Sequence, residues 1–279
     1  MAKFDLHLHS DNSDGSDTVQ ELVQKIIGEK LEIVALSDHD TVFGISEMRK
    51  LLPENIKFIP AIELTSRARG IKCHILGYNV DENNSKLLDL IEKGKQLRKI
   101  KLEKRIKYLK DVWGIELTQE ELKWLYDRKS VVKTHVAKIL VDRGLAKDNI
   151  EAMSKYIDGC KTGNTRFDGE EAIKTIKEAG GIPVWAHPLG GEGEEHLSRE
   201  EFLPRLETMI DCGIEGLECF YSRYSDDEIS FLRECANKHG LFITGGSDYH
   251  GSNKTVIFGQ LNINNEPVDS KELNLKPLI

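Results

Sequence analysis

No stretch of this chain is apolar for the roughly 18 residues that a membrane-spanning helix needs, and no Cys-x-x-Cys pair occurs in it. The five cysteines, Cys73, Cys160, Cys212, Cys219 and Cys235, are odd in number and scattered. They suggest neither a disulfide framework nor a thiolate zinc site, and buried, reduced thiols are the expectation. Positive charge is scarce too: 39 Lys and Arg stand against 47 Asp and Glu, a formal net charge of -8. A general duplex-DNA binder carries a basic surface, so duplex DNA is not expected as a partner, whereas a small anionic substrate needs only a local basic patch. Internal repeats and low-complexity segments are absent. The first motif starts at Asp5, which leaves no room for a signal peptide; the expected compartment is the cytoplasm, with no membrane association.

What is present is the composition of a soluble globular protein, 39% hydrophobic and 31% charged over 279 residues. That length suits one large α/β domain or a domain carrying an insertion. Short apolar, β-branched segments at 4–8, 33–36 and 58–62 alternate with amphipathic stretches at 18–29 and 44–51, the rhythm of βα units. The rhythm resumes with helices at 169–179, 199–211 and 226–239 and strands at 182–186, 216–220 and 241–244. Parallel strands around a shared axis are expected, closed as a barrel. Between the two halves, 87–112, 118–126 and 130–144 read as consecutive helices, with Gly144 after Arg143 as a C-cap. The expected organisation is therefore a first barrel part at 1–80, an inserted helical subdomain at 81–165 and a second barrel part at 166–279. The stretch 190–195, rich in Gly and Glu, reads as a mobile loop.

Of the nine histidines, His7, His9, His39, His74, His187 and His250 lie in or directly after predicted strands. Side chains two apart in a strand point to one face, so His7 and His9 present two imidazoles to one cation, and Asp248-x-His250 repeats the spacing. A lone histidine of this kind is better read as a hydrogen-bonded core or loop residue. Asp14, Glu63 and Asp248 supply carboxylates at the same strand ends, where an α/β barrel builds its active site. Histidine mixed with carboxylate and without thiolate suits Mn, Fe or Zn and leaves positions open for water or substrate.

Together His7-Leu8-His9-Ser10, Asp14-Gly15, Ser37-Asp38-His39-Asp40, Glu63, His74, Ala186-His187-Pro188 and Gly246-Ser247-Asp248-Tyr249-His250-Gly251 resemble the motifs of the PHP (polymerase and histidinol phosphatase) phosphoesterases, over nearly the whole chain. The length, the helical insertion, His135-Val136-Ala137 and Glu218-x-x-Tyr221-Ser222 resemble the TrpH/RNase AM-like branch. That branch includes phosphatases that remove the 3′-phosphate of nucleoside 3′,5′-bisphosphates and exonucleases that trim short RNA from its 5′ end. The resemblance implies a distorted (β/α)7 barrel holding three divalent ions: Mn, Zn or Fe, with Mg a further option. By motif, His7, His9, Glu63 and Asp248 hold the first ion, Glu63 bridges to a second held by His74 and His187, and Asp14, His39 and His250 hold the third. The implied reaction is attack by a metal-bridging hydroxide, with Glu63, Asp248 and His187 as the catalytic set and the leaving oxygen protonated by His187 or by metal-bound water. Asp38 and Asp40 either orient imidazoles or, for Asp40, cap a helix.

Candidate substrate anchors are cations. The first inserted helix carries Arg98 and Arg105 among several lysines; its alternative reading is a solvated lysine-rich helix docked by one apolar stripe. Arg223 follows the 216–220 strand at the catalytic end, and its planar fork fits a phosphate. Lys133 and His135 sit where the related branch begins a helix facing the site. His196 is assigned to solvent and His239 to a helix end. The expected function is a metal-dependent phosphoesterase on a small phosphorylated nucleotide, foremost the 3′-phosphate of nucleoside 3′,5′-bisphosphates. The alternatives are a 5′–3′ exoribonuclease on short single-stranded RNA, a histidinol phosphatase and a non-catalytic metal- or nucleotide-binding module.

Overall fold

Fully buried five-residue alternation makes Phe4–Leu8 the first strand, β1, and Ile33–Leu36 pairs parallel to it as β2. The computed structural model describes residues 3–163 and 165–274. Lys57–Ala68 (β3) continues the parallel order, Ile71–Tyr78 (β4) follows, and Phe167–Asp168 (β5) is a short parallel addition to the far end of β3. Ile182–Trp185 (β6), Gly216–Tyr221 (β7) and Phe242–Gly246 (β8) complete the sheet in the order β1-β2-β3-β4-β6-β7-β8. β8 meets β1 again. Asp248 N–H donates to His7 O (2.9 Å) and His9 N–H to Tyr249 O (3.0 Å), so seven strands form a nearly closed barrel.

The strands are not all parallel. β4 runs antiparallel to both β3 and β6, and β3 extends six residues past the expected end at Ile62. The cause is a two-residue turn, Arg69 (φ 43°) and Gly70 (φ 93°). Positive φ at both central positions is the hairpin geometry whose twist matches the flanking strands.

Helices cover the barrel: Val19–Glu29 (α1), Ile45–Leu51 (α2), and then Ser85–Trp113 (α3), Gln119–Tyr126 (α4), Lys133–Asp142 (α5) and Asn149–Ala152 (α6), followed by Gly169–Glu178 (α7), Arg199–Asp211 (α8) and Asp226–His239 (α9). Capping boxes at Thr18, Thr118, Ser198 and Ser225 start four of them, each satisfying amide donors that a helix start leaves free. Among the described residues no helix is long and apolar enough to cross a membrane.

α3 serves two cores. Leu87, Leu90 and Ile91 belong to the main barrel core, whereas Leu102 and Leu109 pack with Leu125, Val136, Leu140 and Ile157 in a separate cluster. The crossing point is Gly94, where an added Cβ would lie 2.4 Å from Cζ of the buried Phe167 ring. A Gly94→Ala change gains about 1 kcal/mol of helix propensity against overpacking of about 1–3 kcal/mol on this buried ring. A lower urea midpoint is expected; a raised one would show that the ring yields.

Candidate metal centre

Glu63, in the middle of β3, is fully buried, and both of its oxygens face imidazole nitrogens. Oε2 lies 3.3 Å from His7 Nε2, 3.3 Å from His9 Nε2 and 3.0 Å from His39 Nδ1. Oε1 lies 3.2 Å from His74 Nδ1 and 3.4 Å from His187 Nε2. From β8, Asp248 Oδ1 approaches the same two β1 nitrogens at 3.5 and 3.4 Å. Beside them Asp14 Oδ1 stands 3.1 Å from His250 Nε2 and 3.8 Å from His9 Nδ1. All nine sequence-predicted ligands converge here.

These contacts are not hydrogen bonds. His7 Nε2, both His9 nitrogens, Asp14 Oδ1, His39 Nδ1, both Glu63 oxygens, Asp248 Oδ1 and His250 Nε2 are buried without a partner. Unpaired buried polar atoms are costly, and nine in one place with nitrogen and carboxylate-oxygen donors fit divalent cations. Three groups could each hold an ion: His7, His9, Glu63 and Asp248; His9, Asp14, His39 and His250; and His39, Glu63 and His74. His39 enters two of them. His187 falls in none of the three, although its Nε2 lies 3.4 Å from Glu63 Oε1; its φ is 29° and its Nδ1 lies 3.3 Å from Glu194.

Protonation suits five of the donors, whereas at His7 and His9 the facing carboxylates outweigh burial and push the imidazoles up, His9 to about 9, so an ion there has protons to displace. Burial pushes the carboxyls of Glu63, Asp14 and Asp248 up, but the surrounding cations, mostly imidazoles, outweigh it and hold all three well below the usual range. Burial pushes His74 and His250 down to about 4. A ligand must be an ionised carboxylate or a neutral imidazole, and these five meet that condition.

Further residues fix the donors. Glu218, in the middle of β7, accepts from His7 Nδ1 (2.8 Å) and from the His187 backbone N–H (2.7 Å). His250 Nδ1 donates to Asp248 O (2.8 Å). Each such bond leaves the opposite nitrogen pointing at the cluster. Asp38 accepts from Ser10 N–H, Ser10 Oγ and Ser13 Oγ at 2.8, 2.7 and 2.6 Å, which holds the loop that carries Asp14. Asp40 accepts from Thr65 N–H (2.8 Å) and pairs with the Arg98 guanidinium; it caps no helix, since α2 starts at Gly44.

The PHP domain model matches residues 5–165. The chain belongs to the PHP family. It is 30% identical to a 5′-3′ exoribonuclease of Haemophilus influenzae over 89% of this chain and 90% of that one. It is 27% identical to a 3′,5′-nucleoside bisphosphate phosphatase of Chromobacterium violaceum, over 90% and 88%. A phosphoribosyl 1,2-cyclic phosphate 1,2-diphosphodiesterase of Eggerthella lenta is 29% identical over 88% and 94%. This PHP protein is a metal-dependent hydrolase of phosphoric esters.

A cleft of about 860 Å³ opens on the PHP cluster at Asp14, His39, His74, His187 and Asp248. Arg98, Arg105 and Lys133 line it, but Arg98 is buried and committed to Asp40 and Thr65 Oγ1, and Lys133 pairs with Asp158 at 2.7 Å. Arg223 and His135 do not line it. Arg223 is 48% exposed and pairs with Glu192, while His135 is buried against Trp124 and its Nδ1 accepts the Val132 N–H. The 190–195 stretch is fastened rather than loose: Glu192 accepts from Thr255 N–H and Oγ1, and Glu194 meets His187. The sequence marks Lys101 only as one of several lysines on that helix and does not mark Arg166, yet both line the cleft. Lys101 lies one turn from Arg98 and Arg105 on one helical face, a signal present in the sequence; Arg166 has no such pattern.

Proposed function

We propose that this phosphoesterase removes the 3′-phosphate of nucleoside 3′,5′-bisphosphates. The observation that carries the reading is a second anion-binding wall. Lys101, Arg105 and Arg166 line the same cleft as the cluster, and none has an ion-pair partner among the described residues. Unpaired cations in a partly buried cleft want an anion. A substrate with two phosphates gives one to the cluster and one to this wall.

The residues divide the work accordingly. His7, His9, Glu63 and Asp248, then Asp14, His39 and His250, and His74 beside Glu63 would hold divalent ions, which when bound would lower the pKa of a water and offset phosphoryl charge. Arg105, Lys101 and Arg166 take the 5′-phosphate and set the distance of the scissile phosphorus. Lys133 and Arg98 shape the same wall. His187 lines the cleft outside the three ligand groups, backed by Glu194, and is assigned to protonate the leaving 3′-oxygen. Arg223 and His135 receive no role.

The Haemophilus relative favours a second reading, exonucleolytic trimming of short RNA from the 5′ end. The first nucleotide of such a strand offers the same pair of groups, a 5′-phosphate and a phosphorus on its 3′-oxygen. Histidinol phosphate carries a single phosphate and leaves the second wall unused.

The test is a release assay with metal-loaded protein on nucleoside 3′,5′-bisphosphates, nucleoside 3′-monophosphates, 5′-phosphorylated short RNA and histidinol phosphate. A kcat/KM at least about tenfold higher for the bisphosphate than for the 3′-monophosphate is expected from one charge-assisted contact; equal values sink the reading. pH supplies a further check. Burial first, then the Arg98 and Arg166 charges, push the Lys101 ammonium down to about 7, with Arg105 adding to them and Asp40 opposing. Lys101 is therefore cationic below that pH and neutral above it. The KM for the bisphosphate should rise between pH 6 and 8.5 relative to that for an aryl phosphate, and Lys101→Met should flatten the difference.

A further inference from the structure

Asp248 divides its oxygens between two neighbours. Oδ1 faces the β1 imidazoles and has no hydrogen-bond partner. Oδ2 accepts from Tyr221 OH at 3.1 Å and from Lys254 Nζ at 2.6 Å. Both neighbours of Lys254 are tied down: Asn253 Nδ2 donates to Asp14 O (2.9 Å), and Thr255 Oγ1 donates to Glu192 (2.8 Å). The ammonium is thus held in the wall of the cleft that His187 also lines, with 22% of the side chain exposed. Asp248 is its one ion-pair partner among the described residues.

A lysine ammonium has three N–H donors, and Asp248 takes one. We infer that Lys254 is a catalytic residue of this phosphoesterase, donating its remaining N–H groups to a non-bridging oxygen of the phosphoryl group under attack. Charge in phosphoryl transfer spreads over the equatorial oxygens, and a fixed cation there acts more strongly on the transition state than on the ground state. Because the same ammonium is locked to Asp248, the phosphoryl oxygen it binds is held in register with the cluster. No spacing rule marks the lysine; it follows the Asp248-Tyr249-His250 motif in a loop. The inference rests on the phosphoester class alone and not on which nucleotide the protein prefers.

Inorganic phosphate is the probe, titrated calorimetrically into metal-loaded protein whose metal content is measured in the same samples. Lys254→Met and Lys254→Gln should weaken phosphate binding about 10- to 100-fold at full metal occupancy, the effect of losing one charge-assisted contact, and should lower kcat on an aryl phosphate by more than they raise KM. The glutamine variant keeps a donor for Asp248 and separates loss of charge from a loosened ligand; it also serves if the methionine variant does not fold. Lys254→Arg should recover most of the phosphate affinity. Unchanged phosphate affinity overturns the inference. So does a loss that added metal fully restores, because Lys254 then only holds Asp248.

Discussion

Glu63→Ala should drop turnover of an aryl phosphate by about 10³-fold or more and cost the purified protein bound metal. Outer residues that merely orient a metal ligand are worth about 10- to 100-fold, and Glu63 is central: its two oxygens face five imidazole nitrogens at 3.0–3.4 Å. It belongs to two of the three groups able to hold an ion, so its loss opens both at once. Glu63→Gln should be nearly as damaging, because a neutral amide loses the negative charge and keeps only one of the two oxygens that face the ligand groups. Metal content by elemental analysis and rates at saturating metal check this together. An alanine variant that keeps a tenth of the parent rate with full metal would remove Glu63 from the centre.

The second large effect is expected at Glu218, which touches no predicted substrate. Its carboxylate is completely buried and satisfies His7 Nδ1 and the His187 amide at once. Truncation to alanine strands two buried donors and opens a cavity, a cost of about 3–5 kcal/mol by analogy with broken buried pairs. At about 2–4 °C per kcal/mol for chains of this size, Tm should fall by roughly 10 °C. Metal affinity should fall about 10- to 100-fold as the His7 ring loses its fixed tautomer. Glu218→Gln retains an acceptor for His7 and should recover part of the metal affinity. Parent-like metal affinity in Glu218→Ala would show that packing alone fixes the His7 ring.

The contrast between these two residues shows what was readable in advance. His7 and His9, or Asp248 and His250, sit two apart, and strand geometry alone places such pairs together. Glu218 and His7 are 211 positions apart, a contact that only barrel closure creates, although a glutamate amid Leu217, Cys219 and Phe220 already marked an unusual strand. The βα rhythm located β1, β2, α8 and α9 closely because the two strands are short runs buried on both faces and the two helices bury one side of a regular pattern. It assigned no element between 63 and 80 and so missed β4, whose hairpin turns at Arg69, where Asn, Asp or Gly is the usual signal. Arg98 was legible as a cation on the inserted helix, but its partner Asp40 lies across the fold, which changes it from a free anchor into a brace for the loop after β2.

The seam between β1 and β8 has a consequence for biosynthesis. Two of the three ion-holding groups borrow Asp248 or His250 from the end of β8, and the seam joins residues as distant as Asp5 and Ser247. Contacts of such long range are the slow ones to form, and the C-terminal strand that makes them is synthesised last. A nascent or truncated chain therefore displays His7, His9 and Asp14 without a finished site for scavenging ions. Tight capture follows closure, so the ion acts as an inspector at the end of the line, retained only by chains whose two halves have met.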